Sequence, residues 1–522
     1  MMSKTKYRIF MLSARAVMSF AKEQDGVYRF DLDWNATERC KVAGAAHEQE
    51  GNALFYQLMC HRQRKYKEPD DEQVITELSD ILFYMNFEGI FDRSNQVRQD
   101  KARDMFRPEG ITLDFGNGPQ RYVAFERSAS MSRDSRLSFI RADYNEPVRR
   151  RVMLDMNIER CQLTKLYAYN GLMLSSGVRI DGINIHKPSR VIVVDNPTRI
   201  MRRVPVITAR DDGTGGTTRK YYRHDTLEDV KVTCFDGVGL ISEEYAETVD
   251  IAYCGEHIHT SFQIRMPYVK GMLHKVDFKD FLKRTGTQSI QDIWGKSHAV
   301  DDVDIILTKS MFKAYGWFEE CGMSWKDYWK AFRKYDHALY IPIASREKPE
   351  ALTTMNYQFV TTLSLQPEEF RPADLPDGWN RSPAEESRSW LTKETELAYY
   401  NYSANTRYRL EHFLKHLPPD DSKRNKSRRQ HLAEILQKNP LFIHEPIYQQ
   451  ELEARRKTIL EGYATGELIV SGDIRFLSGD LLELMRHIAS PRIFQTPSER
   501  SFLEAVERDV FSENCFFAPG AV

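Results

Sequence analysis

Read for the spacing of its apolar positions, the chain falls into stretches of different texture. Residues 1–150 read as mainly helical after a short start. In EQVITELSDILFYM, Val74, Leu78, Ile81, Leu82 and Met85 recur at helical spacing and predict a core-facing stripe. From about residue 151 short extended runs take over, among them RVIVVD (190–195) and KVTCF (231–235). Between these, RDDGTGGTTRK (210–220) is a Gly/Thr-rich loop that lacks P-loop spacing and reads as flexible surface. The extended texture runs to about residue 315.

WKDYWKAFRKYDH (325–337) then predicts an amphipathic helix. Trp325, Trp329 and Phe332 share one face, with Lys326, Lys330, Arg333 and Lys334 largely elsewhere. The aromatic face suits a core, and aromatics beside cations also suit a stacking platform for single-stranded nucleic acid. Residues 366–388, rich in Pro and acid, read as a linker. Lys423, Arg424, Lys426, Arg428 and Arg429 make a basic cluster, either a solvated helix start or a phosphate contact. Helix follows to about residue 462, and GELIVSGDIRFLSGDLLELM (466–485) returns to strand-like texture broken by glycines.

Composition narrows the class without naming a function. With 522 residues, 41% hydrophobic and 29% charged, the chain reads as a multidomain globular protein. A net charge of −1 gives no global attraction to polyanions, so any such site must be a local patch. The seven cysteines are scattered without a CxxC pair, which argues against a disulfide framework or structural zinc and for a reducing, cytoplasmic setting. No apolar run is long enough for a membrane span, so no membrane partner is expected.

The stretch TSFQIRMPYVKGML (260–273) stands out. In extended chain Phe262, Ile264 and Met266 share one face and Gln263 and Arg265 the other, with Lys270 beyond Pro267. The two cations suit either a solvated edge or a polyanion site. Ahead of it, FDGVGLISEEYAE (235–247) reads as a strand, a turn at Asp236-Gly237, a close backbone approach at Gly239 and a helix start at Ser242. HExxH, Walker A, GxSxG and EF-hand patterns are absent. The acid pairs Asp31/Asp33 and Asp302/Asp304 have a spacing that suits Mg²⁺, and surface or capping roles suit them as well.

Taken in order, DGVGLIS (236–242), FQIRMPYVKGML (262–273) and SMFKAY (310–315) resemble the DGxGxIS, FQIR…YKG and SMxKF segments of cellular RNA-dependent RNA polymerases of the RNA-silencing type. KLYAYNGLMLSSG (165–177), NYQFVTTLSL (356–365) and IRFLSGDL (474–481) resemble further family segments more loosely. The resemblance covers roughly residues 160–490. It implies an α+β fold built on two double-psi β-barrels, the first complete and the second only begun. The expected divisions are a mainly helical region over 1–150, the first barrel over 151–330, a helical connector over 331–462 and the start of the second barrel over 463–522.

Carried onto this chain, the resemblance makes Lys270 the leading contact for a triphosphate or RNA backbone, with Arg265, Lys309, Lys313 and Arg475 as further cations. Asp236, Gly237, Gly239, Gly271 and Gly479 are the barrel's structural motif residues. It also implies template-directed nucleotidyl transfer, with RNA and nucleoside triphosphates as partners and Mg²⁺ as cofactor. The family's DxDGD metal segment has no counterpart here, so no catalytic or metal-ligating residue is assigned. The chain is therefore expected to lack activity alone and to need the remaining barrel, from a continuation or from a second polypeptide. An inactive or split-subunit RNA-binding module and a DNA-templated RNA polymerase of the same barrel type remain as alternatives.

Overall fold

Runs of four buried residues, rather than alternating ones, form several strands of this protein, among them Leu82–Asn86, Val191–Val194, Val238–Ile241 and Ile305–Thr308. The computed structural model describes residues 6–489 apart from 21, 30–43, 64–75, 79, 92–95, 115–117, 129–130, 133, 159–162, 212–218, 234, 347–351, 356–392, 418–427, 465–466 and 472–477. The chain divides into two compact units, residues 1–347 with 478–522, and residues 348–477. Arg475, Asp31, Asp33, the 366–388 segment and Lys423, Arg424 and Lys426 lie outside the described residues.

The N-terminal region is a nine-stranded sheet with helices on its faces, and not mainly helical as the apolar spacing predicts. Its central strands include Leu82–Asn86, Arg136–Arg141 and Lys6–Ser13. The physical reason is visible at Leu82–Asn86, whose first four residues are all buried. Leu82 and Tyr84 enter one core with helices Ala53–Gln63 and Ala142–Val152, whereas Phe83 and Met85 enter the opposite core. A strand covered on both faces loses its polar alternation and so imitates a helical stripe.

The second sheet of this unit positions the candidate site. Its strands are β1 (Val178–Ile180), β2 (Val191–Val194), β3 (Val238–Ile241), β4 (His259–Met266), β5 (Val269–Lys275), β6 (Ile305–Thr308) and β7 (Leu339–Arg346). The order across the sheet is β1-β7-β4-β5-β3-β6-β2. β3 runs parallel to β5, and β2 parallel to β6, while the other pairings are antiparallel. Val191, Val193, Ile241, Ile305 and Leu307 point into one core, and Ile192, Val194, Leu240 and Ile306 into the other.

Four helices close these two cores. α1 (Glu243–Cys254) and α3 (Trp325–Lys334) cover the first, and α2 (Phe278–Arg284) and α4 (Leu481–Ile488) cover the second. Tyr328, Ala331 and Phe332 of α3 are buried and Trp325 and Trp329 pack partly buried beside them, so its aromatic face belongs to the core. Residues 481–485, expected as strand, are the start of α4. Asp480 caps that helix by accepting the N–H groups of Leu482 and Glu483, and a cap of this kind overrides the glycine-broken strand texture ahead of it.

Strands Arg199–Asp211 and Arg219–Val232 form a separate two-stranded ribbon. The second unit is mainly helical. Helices Thr406–Leu414, Arg428–Lys438 and Pro446–Ala464 surround a core of Phe413, Leu432, Leu436, Ile443, Tyr448 and Leu452. Strand Ile469–Ser471 pairs there with Leu352–Thr354. Among the described residues no helix is long and apolar enough to cross a membrane.

Candidate anion-binding site

β4 and β5 form a tight hairpin. Met266 pairs with Val269, which leaves Pro267 and Tyr268 as a two-residue turn. Proline sets its own φ, and Tyr268 takes the left-handed position at φ 59°. That conformation costs a residue with a Cβ about 1–2 kcal/mol, so the turn needs outside support. Tyr268 is buried, and its hydroxyl donates to Asn170 Oδ1 at 3.0 Å. From the other side the Tyr328 hydroxyl donates to the Pro267 carbonyl at 3.0 Å.

This hairpin places Arg265 directly opposite Lys270. Like charges in directly opposed positions destabilise a sheet. Arg265 is 7% exposed, with one bond from Nη1 to the Ile264 carbonyl at 2.7 Å, and its Nε has no partner. Burial pushes its guanidinium down to about 10. Lys270 is also held below its ordinary value, first by burial and then by Arg265 and Lys313, with Asp236 pulling the other way. Two cations thus face each other across the strand pair, and the guanidinium has no carboxylate partner among the described residues.

The remaining motif residues build the floor beside it. Gly237 stands at φ 75° in the turn after Phe235, and its N–H donates to Ser310 Oγ at 2.9 Å. Its carbonyl accepts the Met272 N–H at 2.8 Å. A Cβ on Gly271 would lie 2.3 Å from that carbonyl, and one on Gly239 would lie 2.7 Å from the Ile306 carbonyl. Both glycines are therefore required for close backbone approach.

The 309–313 segment is stitched across the hairpin end. The Lys270 N–H donates to the Met311 carbonyl at 3.1 Å, and the Lys313 N–H to the Tyr268 carbonyl at 2.8 Å. Lys313 Nζ reaches Asp236 Oδ1 at 3.1 Å. Lys309 Nζ lies 4.1 Å from the centre of the Tyr315 ring. The Tyr315 hydroxyl is pushed up to about 12, mainly by its bond to Glu319.

Asp236, Gly237, Gly239, Arg265, Lys270, Gly271 and Lys313 thus come together, with Lys309 at the start of the same segment. Gly479 lies just ahead of α4. Three contributors received no role from the sequence: Asn196, whose Oδ1 accepts the Ser310 N–H at 3.1 Å, and Asn170 and Tyr268, which stand inside the 165–177 and 262–273 segments and lock the turn. The Pro-Tyr pair between two apolar runs was the usable sign for Tyr268.

The carboxylate facing these cations is Asp236, already paired with Lys313 and 80% exposed. Asp304 is held between Arg190 and Lys279, each at 2.7 Å, so this acid of the Asp302/Asp304 pair is structural. These acids do not fit a divalent-ion site of the kind that nucleotide chemistry uses.

Comparison with known proteins gives the site a context. A family model described as "RNA dependent RNA polymerase" matches residues 52–437, well over half of the chain. A "DNA-directed RNA polymerase YonO" of Bacillus phage SPbeta is 23% identical over 371 residues, which cover 70% of this chain and 38% of that protein. The solved "RNA dependent RNA polymerase QDE-1 from Thielavia terrestris" overlays with a TM-score of 0.41 at 14% identity, over 90% of this chain and 42% of that one. The chain spans less than half the length of either protein.

Proposed function

The chain belongs to the RNA-dependent RNA polymerase family, and from that premise we propose that it serves the template-directed joining of nucleoside triphosphates into RNA. The Arg265–Lys270 hairpin is its phosphate-binding element. One observation carries this reading: a buried guanidinium without a carboxylate partner among the described residues faces a lysine directly across the strand pair. A buried charge of this kind is tolerated where an anionic ligand completes it. A triphosphate or RNA backbone phosphate supplies that charge and takes charge-assisted hydrogen bonds from Lys270.

In this reading the seven-stranded sheet is the wall of a double-psi β-barrel, and the DGVGLIS and SMFKAY segments hold the hairpin within it. Lys309 and Lys313 flank the phosphate. The residues act by position and field, with donors fixed before the ligand arrives. Arrival of the phosphate raises the protonation of Lys270 and Arg265, so binding takes up protons at alkaline pH. Mg²⁺ supplies charge neutralisation in nucleotidyl transfer. Since the acids beside the hairpin do not fit it, no metal-dependent step is assigned to them.

A second reading concerns the template. The match to a polymerase named as DNA-directed favours DNA in that role. The test is to give the full chain labelled nucleoside triphosphates with Mg²⁺ on single-stranded RNA and on single-stranded DNA, and to measure nucleotide and RNA binding alongside. RNA made on one template and not the other decides between the two. Binding without synthesis leaves a phosphate-binding module. Absence of both RNA and triphosphate binding at low salt overturns the proposal.

A further inference from the structure

We propose that Asp250, Cys254 and His259 form a binding site for a divalent transition metal of zinc-like character at the junction of α1 and β4. Asp250 and Cys254 lie four residues apart on the last turn of α1, and His259 opens β4. Gly255, at φ 80°, turns the chain between them. This is the one group of three or more His, Cys, Asp or Glu with metal-compatible spacing among the described residues. It is a different site from the cationic hairpin end, and it does not depend on the polymerase reading.

Three donors of three chemistries converge there. The Asp250 carboxylate is 1% exposed, and its Oδ2 accepts the N–H groups of Ile258 at 2.7 Å and His259 at 2.8 Å. Those bonds pin the carboxylate and leave Oδ1 facing His259 Nδ1 at 2.6 Å and Cys254 Sγ at 3.4 Å. Sγ lies 3.9 Å from Nδ1. Tetrahedral zinc with ordinary bond lengths separates sulfur from nitrogen or oxygen by about 3.5 Å, and nitrogen from oxygen by about 3.3 Å. Both sulfur separations lie close to this, and the oxygen–nitrogen contact needs to open by roughly 0.7 Å.

The chemistry of the set also points to a borderline-soft ion. A latch for the 255–258 turn needs Asp250 alone. A thiol and an imidazole added to the same carboxylate oxygen match zinc, and not Mg²⁺ or Ca²⁺. Tyr253 and Phe262 flank the imidazole, with ring centres 5.5 and 6.2 Å away, and limit its rotation. The Glu256 carbonyl, 3.7 Å from Sγ, or a water takes the fourth position. Binding exchanges the thiol proton for the ion, giving a Cys254–metal bond and one released proton, with no change of oxidation state.

The test uses the full chain, stripped of metal and titrated with Co²⁺. Wild type is expected to develop a thiolate-to-cobalt charge-transfer band that Zn²⁺ displaces. C254S loses the band, whereas C321S, at the other half-buried cysteine described, keeps it. D250N weakens binding by at least the roughly 10–100-fold that even an outer-sphere partner costs. As a check that needs no variant, Zn²⁺ should protect Cys254 of wild type from iodoacetamide, read by peptide mass mapping. A cobalt band unchanged in C254S, no band at all, or Cys254 alkylated equally with and without Zn²⁺ overturns the proposal.

Discussion

Replacing Arg265 with methionine should make the protein more stable and less able to hold phosphate. Burial holds the Arg265 guanidinium at about 10 against an ordinary 12.5. A displacement of that size corresponds at neutral pH to roughly 3 kcal/mol by which burial opposes the charged form. The folded value lies below the unfolded one, so this cost is present in full at neutral pH and is relieved only as pH rises through about 10. Methionine keeps the length of the stem without the charge. It forfeits the bond to the Ile264 carbonyl, a contribution of about 1–2 kcal/mol. The net expectation for Arg265→Met is a gain of about 1–2 kcal/mol, from a roughly 3 kcal/mol relief less that bond. Urea unfolding at pH 7 in phosphate-free buffer measures it. Adding a nucleoside triphosphate at about 100 times its Kd should stabilise wild type by about 2.7 kcal/mol and the variant by much less. A variant less stable than wild type without phosphate, or one stabilised equally by triphosphate, would refute the reasoning.

Three further outcomes follow from the same geometry. Lys270→Ala should keep the fold, weaken RNA binding and lower the salt slope of affinity by about one phosphate contact; a slope unchanged across a salt titration would return Lys270 to a solvated edge. Gly271→Ala places a Cβ 2.3 Å from the Gly237 carbonyl, and thermal melts should show a loss of about 1–3 kcal/mol from overpacking. Glu126 is buried and pushed up to about 7 by that burial, with Arg149 and Asn170 opposing, against an ordinary 4.5. The folded state therefore holds this proton more tightly, so wild type should lose stability as pH rises from about 4.5 to about 7 and no further above it. Glu126→Gln should flatten that dependence, and parallel pH–stability curves for the two proteins would contradict it.

The sequence made the hairpin legible because its parts are local. The Asp236-Gly237 turn, the cation before Pro267 and the Lys270-Gly271 pair each announce a backbone event within a few residues. The partners that hold the hairpin were not legible. Asn170 bonds Tyr268 across a separation of 98 residues, and Asn196 bonds Ser310 across 114. Neither asparagine differs in its local pattern from one at an ordinary turn. The N-terminal sheet was hidden for another reason. Leu82, Phe83, Tyr84 and Met85 are buried on alternating sides of a strand covered on both faces, so no polar residue marks the period.

What separates the hairpin from an ordinary sheet edge is that several local rules fail in one place. Tyr268 adopts a left-handed backbone, Arg265 is buried without a counter-charge among the described residues, and Lys270 faces it across the ladder. A solvated edge needs none of these, because exposed cations turn into water at little cost. Each departure is held by a different element: Asn170 fixes the Tyr268 hydroxyl, Tyr328 of α3 fixes the Pro267 carbonyl, and the 309–313 segment accepts the Lys270 N–H at Met311 and donates the Lys313 N–H to the Tyr268 carbonyl. The turn is over-determined while the charge is left incomplete. That division is what the proposed anion site requires, since a rigid frame keeps the two cations from relaxing apart before a ligand binds.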